Sequence, residues 1–316
     1  MKTCIKGLKP FHFFLSPFEF HKDTSSNLYK KIDTLRTWNY VAAALHLGAA
    51  VYTSVSLKNR SRRIVDVFRL QFDETQPQSE SRVDIPVKIQ TQDRVDLKIL
   101  VVAFFIVTSI AHFLYATDFL GRGWYSSQVL GFGWNPYRWV EYSISAGLMI
   151  YLISIASGTK EQISAISNAL ITPGLMVNGF TNERALQQNA LHDWSLKPET
   201  TRPKVDALIV WSNIIPAWIL FFVHWFAILS NYSKLSKEAK DEDKPLDKSV
   251  GFMVYSQLLF FSLFGVIQTY QVFRWRTLKP GRIEPSFIVY EKVYIVLSAI
   301  TKLLLAGTIV FALRDN

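Results

Sequence analysis

Cysteine is nearly missing from this chain: Cys4 is the only one among 316 residues, which excludes an intramolecular disulfide. The short patterns that announce common chemistries are missing as well. There is no glycine-rich phosphate loop, no HExxH, no spaced cluster of Cys and His to hold a metal, and no internal repeat. Nucleotide-dependent and metal-dependent catalysis lose their usual signatures, so the expectation is a protein that is not an enzyme and has no metal site. Acidic residues are scarce, 25 against 35 lysines and arginines, leaving a formal charge of +10. That excess is spread over segments beside apolar runs, so anionic membrane lipid is the expected partner and nucleic acid is not.

What is present is an alternation of long apolar runs with charged connections. Seven runs of about 20 residues are each long enough for a hydrocarbon core of ~30 Å. They cover 38–57, 98–117, 138–157, 162–180, roughly 205–230, 250–273 and roughly 288–313. Pro173 and Pro216 fall inside the fourth and fifth, which is tolerable where neighbouring helices satisfy the freed backbone groups. The chain therefore reads as an all-α membrane protein, one seven-transmembrane-helix domain over 1–316 with an N-terminal tail over 1–37. The opening "MKTCIKGLKPFHFFLSPFEFHK" starts like a secretory signal, but proline, histidine and glutamate interrupt its apolar core and no small-residue cleavage site comes after it. It reads as a retained tail whose phenylalanines lie on the lipid interface.

Lysines and arginines favour the tail and the even-numbered connections, and the margin widens once the long loop 58–97 is discounted. The N-terminus is thus expected in the cytoplasm and the C-terminus outside. In the outer loop, "RRIVDVFRLQF" and "RVDIPVKIQTQ" alternate apolar with polar residues around the turn-like "DETQPQSES", which predicts a long two-stranded β-ribbon. Its balanced charges suit a solvated cap. The mixed-charge "SKLSKEAKDEDKPLDKS" reads as a flexible connector.

Few titratable groups lie well inside the runs: Lys302, Glu141, His46, His112 and His224. An ammonium at mid-bilayer costs at least ~2.5 kcal/mol, so a chain that places one there usually uses it. A desolvated lysine can lose its proton or condense with an aldehyde to a Schiff base, and a Schiff base that stays protonated needs a carboxylate nearby. Glu141 is the one acid that reaches far enough into a run to serve, with Asp118 at the end of the second run as the fallback. The third and seventh runs point the same way, and the Lys302 side chain leans toward its helix N-terminus, where Glu141 lies early in its own run. Ser298, four before Lys302, and Ser145, four after Glu141, share those faces. The competing reading of Glu141 pairs it with Arg138, one turn away. His46 and His112, with Thr108 one turn before His112, read either as packing residues or as a polar, hydrated pocket for protons, whereas His224 reads as packing.

Seven spans with a lysine central to the last and a carboxylate in the third is the arrangement of retinal proteins. "RWVEYSIS" at 138–145 and "EKVYIVLSAITK" at 291–302 resemble the third- and seventh-helix signatures of heliorhodopsins, and "ALH" ending at His46 and "SIAH" ending at His112 agree. The resemblance implies retinal, all-trans in the dark, held covalently at Lys302, with Glu141 as counterion and His46 and His112 in a hydrated cytoplasmic cavity. It also implies an inverted orientation and a homodimer. The long "RTLKPGRIEPSF" linker and the extended tail resemble the divergent branch found in large viruses of algae. Two outputs stay open: a light sensor that signals to an unidentified partner, and a light-gated passive conductor of protons. A pump fits less well because no second well-buried acid is expected beyond Glu141, and a seven-span receptor without retinal is the structural alternative.

Overall fold

A computed structural model of the chain describes residues 26–57, 64–72, 87–119, 125, 135–192, 207–243, 246, 248–277 and 283–314. Among the described residues, seven helices and two strands occur in the order α1 (Ser26–Ser56), β1 (Ile64–Phe72), β2 (Val87–Asp96), α2 (Leu97–Thr117), α3 (Pro136–Ala156), α4 (Gln162–His192), α5 (Ala207–Asp241), α6 (Lys248–Thr277) and α7 (Ile283–Arg314). Each helix packs on its neighbour in sequence, and α7 closes the ring against α1.

Six of the seven are long and apolar enough to cross a membrane, α2 through α7. The exception is α1, counted in the sequence as the first span. It carries Asn39, His46 and Thr53 on its buried side, which dilutes its apolar character, and it extends back to Ser26 into a polar stretch. Large apolar side chains such as Val55, Leu208 and Phe226 are at least 70 % exposed on the outside of the bundle. A water-soluble domain rarely shows such a surface; hydrocarbon covers it at no cost.

Local signals set the helix ends. Asp96 caps α2 by accepting from the Lys98 amide at 2.9 Å, and Asn135 caps α3 by accepting from the Arg138 amide at 3.2 Å with Pro136 in the first turn. Asp118 ends α2 in the left-handed conformation. Pro173 and Pro216 lie within unbroken helices. The carbonyl freed by Pro173 belongs to Ala169, and it lies against Gly147 of α3, where an added Cβ would sit 3.7 Å from it. The segment expected to be a flexible connector is helical through Asp241, because its Lys, Glu and Ala are strong helix formers that prolong α5.

The predicted ribbon is a short two-stranded antiparallel sheet of nine and ten residues, with a register shift between Arg69 and Leu70. Its turn, residues 73–86, lies outside the described residues, as does the tail over 1–25. Val67 anchors the ribbon in an apolar cluster with Leu57, Leu97, Val101 and Phe104. A second cluster, with Leu35, Tyr115, Ile214, Phe287 and Tyr294, fills the opposite end of the bundle. Between the two lies a layer of buried polar side chains. At the ribbon end, the start of α6 and the end of α7 are parted by an open groove of about 450 Å³ between Phe252 and Phe311.

Candidate functional site

Lys302 and Glu141 meet in that polar layer, their side chains only 3 % and 5 % exposed. Lys302 Nζ donates to Glu141 Oε1 at 3.0 Å and to Ser298 Oγ at 2.9 Å. Thr108 Oγ1, from α2, donates to the same carboxylate oxygen at 2.5 Å. Ser145 Oγ lies beside the carboxylate without a hydrogen bond of ordinary geometry. The spacing of four along each helix explains this gathering: Ser298 sits directly under Lys302, and Ser145 directly over Glu141. The ammonium also stands 5.3 Å from the ring centre of Tyr142, a cation–π contact. Removing one partner of a buried pair strands the other charge, at a typical cost of ~3–5 kcal/mol.

His46 and His112 adjoin the pair. Their rings stack at 5.6 Å with an interplanar angle of 19°. His46 Nδ1 lies 2.6 Å from the Ala42 carbonyl, which can only accept, so that nitrogen carries the proton. His112 Nδ1 lies 2.7 Å from Asn39 Oδ1. The Asn39 amide is oriented by its own donation to the Leu35 carbonyl at 3.0 Å, so its oxygen faces the imidazole and His112 is also protonated at Nδ1. Both Nε2 atoms are buried and without a hydrogen-bond partner among the described residues. Each is therefore a lone pair available to a water or a proton. His224 is fully buried against Phe221 and Trp225, away from this group.

A cavity of about 130 Å³ opens beside Lys302, walled by α3 to α7. Lys302, Ser298 and Ser145 contribute its polar corner, and Trp139, Tyr142, Trp218, Phe221 and Phe264 its apolar walls. Two glycines let the tryptophans lie where they do. A Cβ on Gly179 would stand 2.4 Å from the Trp139 ring, and one on Gly265 would stand 3.0 Å from Trp218. The space thus suits a flat apolar ligand with one end at a buried amine, as retinal requires.

Asp118 is ruled out as the partner of Lys302: it caps α2 and accepts from the Tyr125 amide at 2.9 Å. Arg138 does not turn to Glu141 either. Its guanidinium is buried and bridges Glu183 of α4 and Glu291 of α7. The expectation of no second well-buried acid is therefore overturned, since Glu183 is 0 % and Glu291 3 % exposed. In the sequence both lie beyond or at the edge of an apolar run, but α4 and α7 continue past those edges and neighbouring helices cover them. The signal that points to them is Arg138 itself, a cation at the third-helix start that needs acid partners.

A family model described as Heliorhodopsin matches residues 35–313. No curated protein matches the chain.

Proposed function

Because the chain belongs to the heliorhodopsin family, whose members are retinal-binding, light-sensing membrane proteins, we propose that it is a photoreceptor that carries retinal on Lys302 with Glu141 as counterion. The observation that carries this reading is the buried Lys302 Nζ at the corner of an apolar cavity, 3.0 Å from a buried carboxylate. When bound, retinal supplies a conjugated aldehyde that can join a lysine amine with loss of water and absorb visible light.

The chain's own side chains supply the rest. Glu141 balances the positive charge at Nζ, and Thr108 and Ser298 hold the two ionised ends in register, with Ser145 beside the carboxylate. Tyr142, Trp139 and Trp218 exclude water from the cavity and fix the orientation of what it holds. On illumination the proton at Nζ moves toward Glu141 and then to the Nε2 lone pairs of His46 and His112, basic nitrogens without a hydrogen-bond partner among the described residues. Loss of the Lys302–Glu141 attraction frees α7 to shift against α3, and that displacement is the signal to a partner. In this reading all seven helices cross the membrane with the N-terminus cytoplasmic and the C-terminus outside, all-trans retinal is the dark form, and the protein works as a homodimer.

The experiment is direct: add all-trans retinal to purified apoprotein and record the visible spectrum. A visible band that borohydride traps as an adduct on Lys302 supports the proposal, and retinal that extracts freely overturns it. The second reading, passive proton conduction under light, is favoured by one feature, the pair of unpartnered Nε2 atoms in the layer between the two apolar clusters. Sustained photocurrent whose reversal tracks the proton gradient supports conduction; coloured, well-expressed protein without it leaves sensing.

A further inference from the structure

One cation stands between two acids in the cluster around Arg138. Its guanidinium reaches Glu183 Oε1 on one side and Glu291 Oε1 on the other, and all three side chains are at most 4 % exposed. Side chains of α3, α6 and α7 surround the cluster, with Tyr115 of α2 nearby. From α3 and its cap, Trp139 Nε1 donates to Glu183 Oε2 at 2.8 Å, and the Asn135 amide donates to Glu291 Oε2 at 3.1 Å. From α6, the Gln271 amide donates to Glu183 Oε1 at 3.4 Å. From α7, the Tyr294 ring lies 4.3 Å from the guanidinium carbon. Nearby cations are engaged elsewhere: Lys292 lies over the Trp38 ring and Lys302 bonds Glu141. Arg184 comes directly after Glu183 on α4 and so projects from a different face of that helix.

Two carboxylates against one guanidinium leave one negative charge uncompensated in a buried place, and a single proton relieves it. We propose that Glu183 and Glu291 share one exchangeable proton across Arg138, making this triad a second proton-binding site apart from the Lys302–Glu141 pair.

Tyr142 and Tyr294 lie between the two sites. Tyr142, whose ring faces Lys302, donates its hydroxyl to the Tyr294 carbonyl at 3.3 Å. The Tyr294 hydroxyl reaches Gln268 Oε1 at 2.6 Å and Gln271 Oε1 at 3.0 Å, and Gln271 donates to Glu183. Coupling of the shared proton to the Lys302 site under light would act by displacing these packed side chains; that coupling rests on the retinal reading, whereas the shared proton itself does not.

The test is infrared spectroscopy of the detergent-solubilised protein in the dark, without and with retinal, with carboxyl-13C glutamate to identify the band. The parent should show a neutral-carboxyl stretch that shifts in D2O. Glu183→Gln and Glu291→Gln should each abolish it, because the carboxylate left behind then faces Arg138 one to one. Glu141→Gln should leave it in place. No such band in the parent, or a band that survives in either triad variant, overturns the shared proton. A band lost only in Glu141→Gln overturns it too, and also removes the charged counterion from the proposed function. Should one triad variant fail to accumulate, the other decides by the same criterion. The apoprotein spectrum reads the triad even where retinal fails to bind, so the two readings fail separately.

Discussion

Lys302 Nζ and Glu141 Oε1 are 3.0 Å apart although 161 residues separate them in sequence. Lys302→Ala should abolish the visible band after retinal is added, while the protein still inserts and elutes as the parent does. The remaining carboxylate would be buried without its cation, so a lower melting temperature should accompany the loss of colour. An alanine variant that still carries covalent retinal by mass spectrometry would refute the attachment site.

Glu141→Gln should move the absorption maximum to longer wavelength, because a nearby anion holds positive charge at the nitrogen end of the chromophore and its removal lets that charge spread. The spectrum of the reconstituted variant measures this. An unchanged maximum would transfer the counterion role to another acid, and the geometry excludes Asp118 from it.

His46→Ala and His112→Ala address the bare Nε2 atoms. Either variant should alter the rise or decay of the deprotonated photoproduct in flash photolysis, and, if the protein conducts, should reduce photocurrent at every voltage tested. Currents at two external pH values separate conduction from a brief charge displacement. Parental kinetics in both variants would remove the histidines from the proton route.

Gly179→Ala should destabilise the bundle, since the new Cβ would stand 2.4 Å from the Trp139 ring. Overpacking of this kind costs ~1–3 kcal/mol, visible as a lower melting temperature. Trp139 also walls the cavity, so retinal binding should weaken in the same variant. Gly48, beside which an added Cβ meets nothing within 4 Å, is the control, and Gly48→Ala should bind retinal as the parent does.

At the ribbon end, Glu161 caps α4. Slight burial works against its charge, but bonds from the Ser164 side chain and from the Ser164 and Ile163 amides prevail and hold its carboxyl below the usual glutamate value. The cap is therefore fully present above the unfolded value of ~4.3 and is lost as pH falls through the lower folded value. Amide exchange at Ile163 and Ser164 should accelerate over that acidic window in the parent. In Glu161→Gln it should be faster at neutral pH, with the acid step gone.

Six of the seven spans and the Lys302–Glu141 pair are legible in the sequence because charge and apolarity segregate along the chain, and a charge that breaks the segregation is conspicuous. The helical four-residue spacing then places Ser298 and Ser145. Glu183 and Glu291 are not legible, because the apolar run marks where a helix meets hydrocarbon, not where the helix ends. An acid just past that limit is solvated in one chain and buried in another, and only the packing of α3, α4 and α7 decides. The fit of Trp139 over Gly179 is equally invisible in one dimension: nothing local to either residue specifies the other.

Arg138 ties α3, α4 and α7 together at one end of the bundle, while at the other end the start of α6 and the last turns of α7 stand apart across the Phe252–Phe311 groove. Mechanically, α7 is a beam clamped near Glu291 and left open on its α6 side near Phe311, where Ile309 and Val310 still pack in the core, with Lys302 between. A push at Lys302 toward α6 would therefore meet less resistance in this arm than at the clamp, so the larger excursion is expected at the face of the molecule that bears the ribbon.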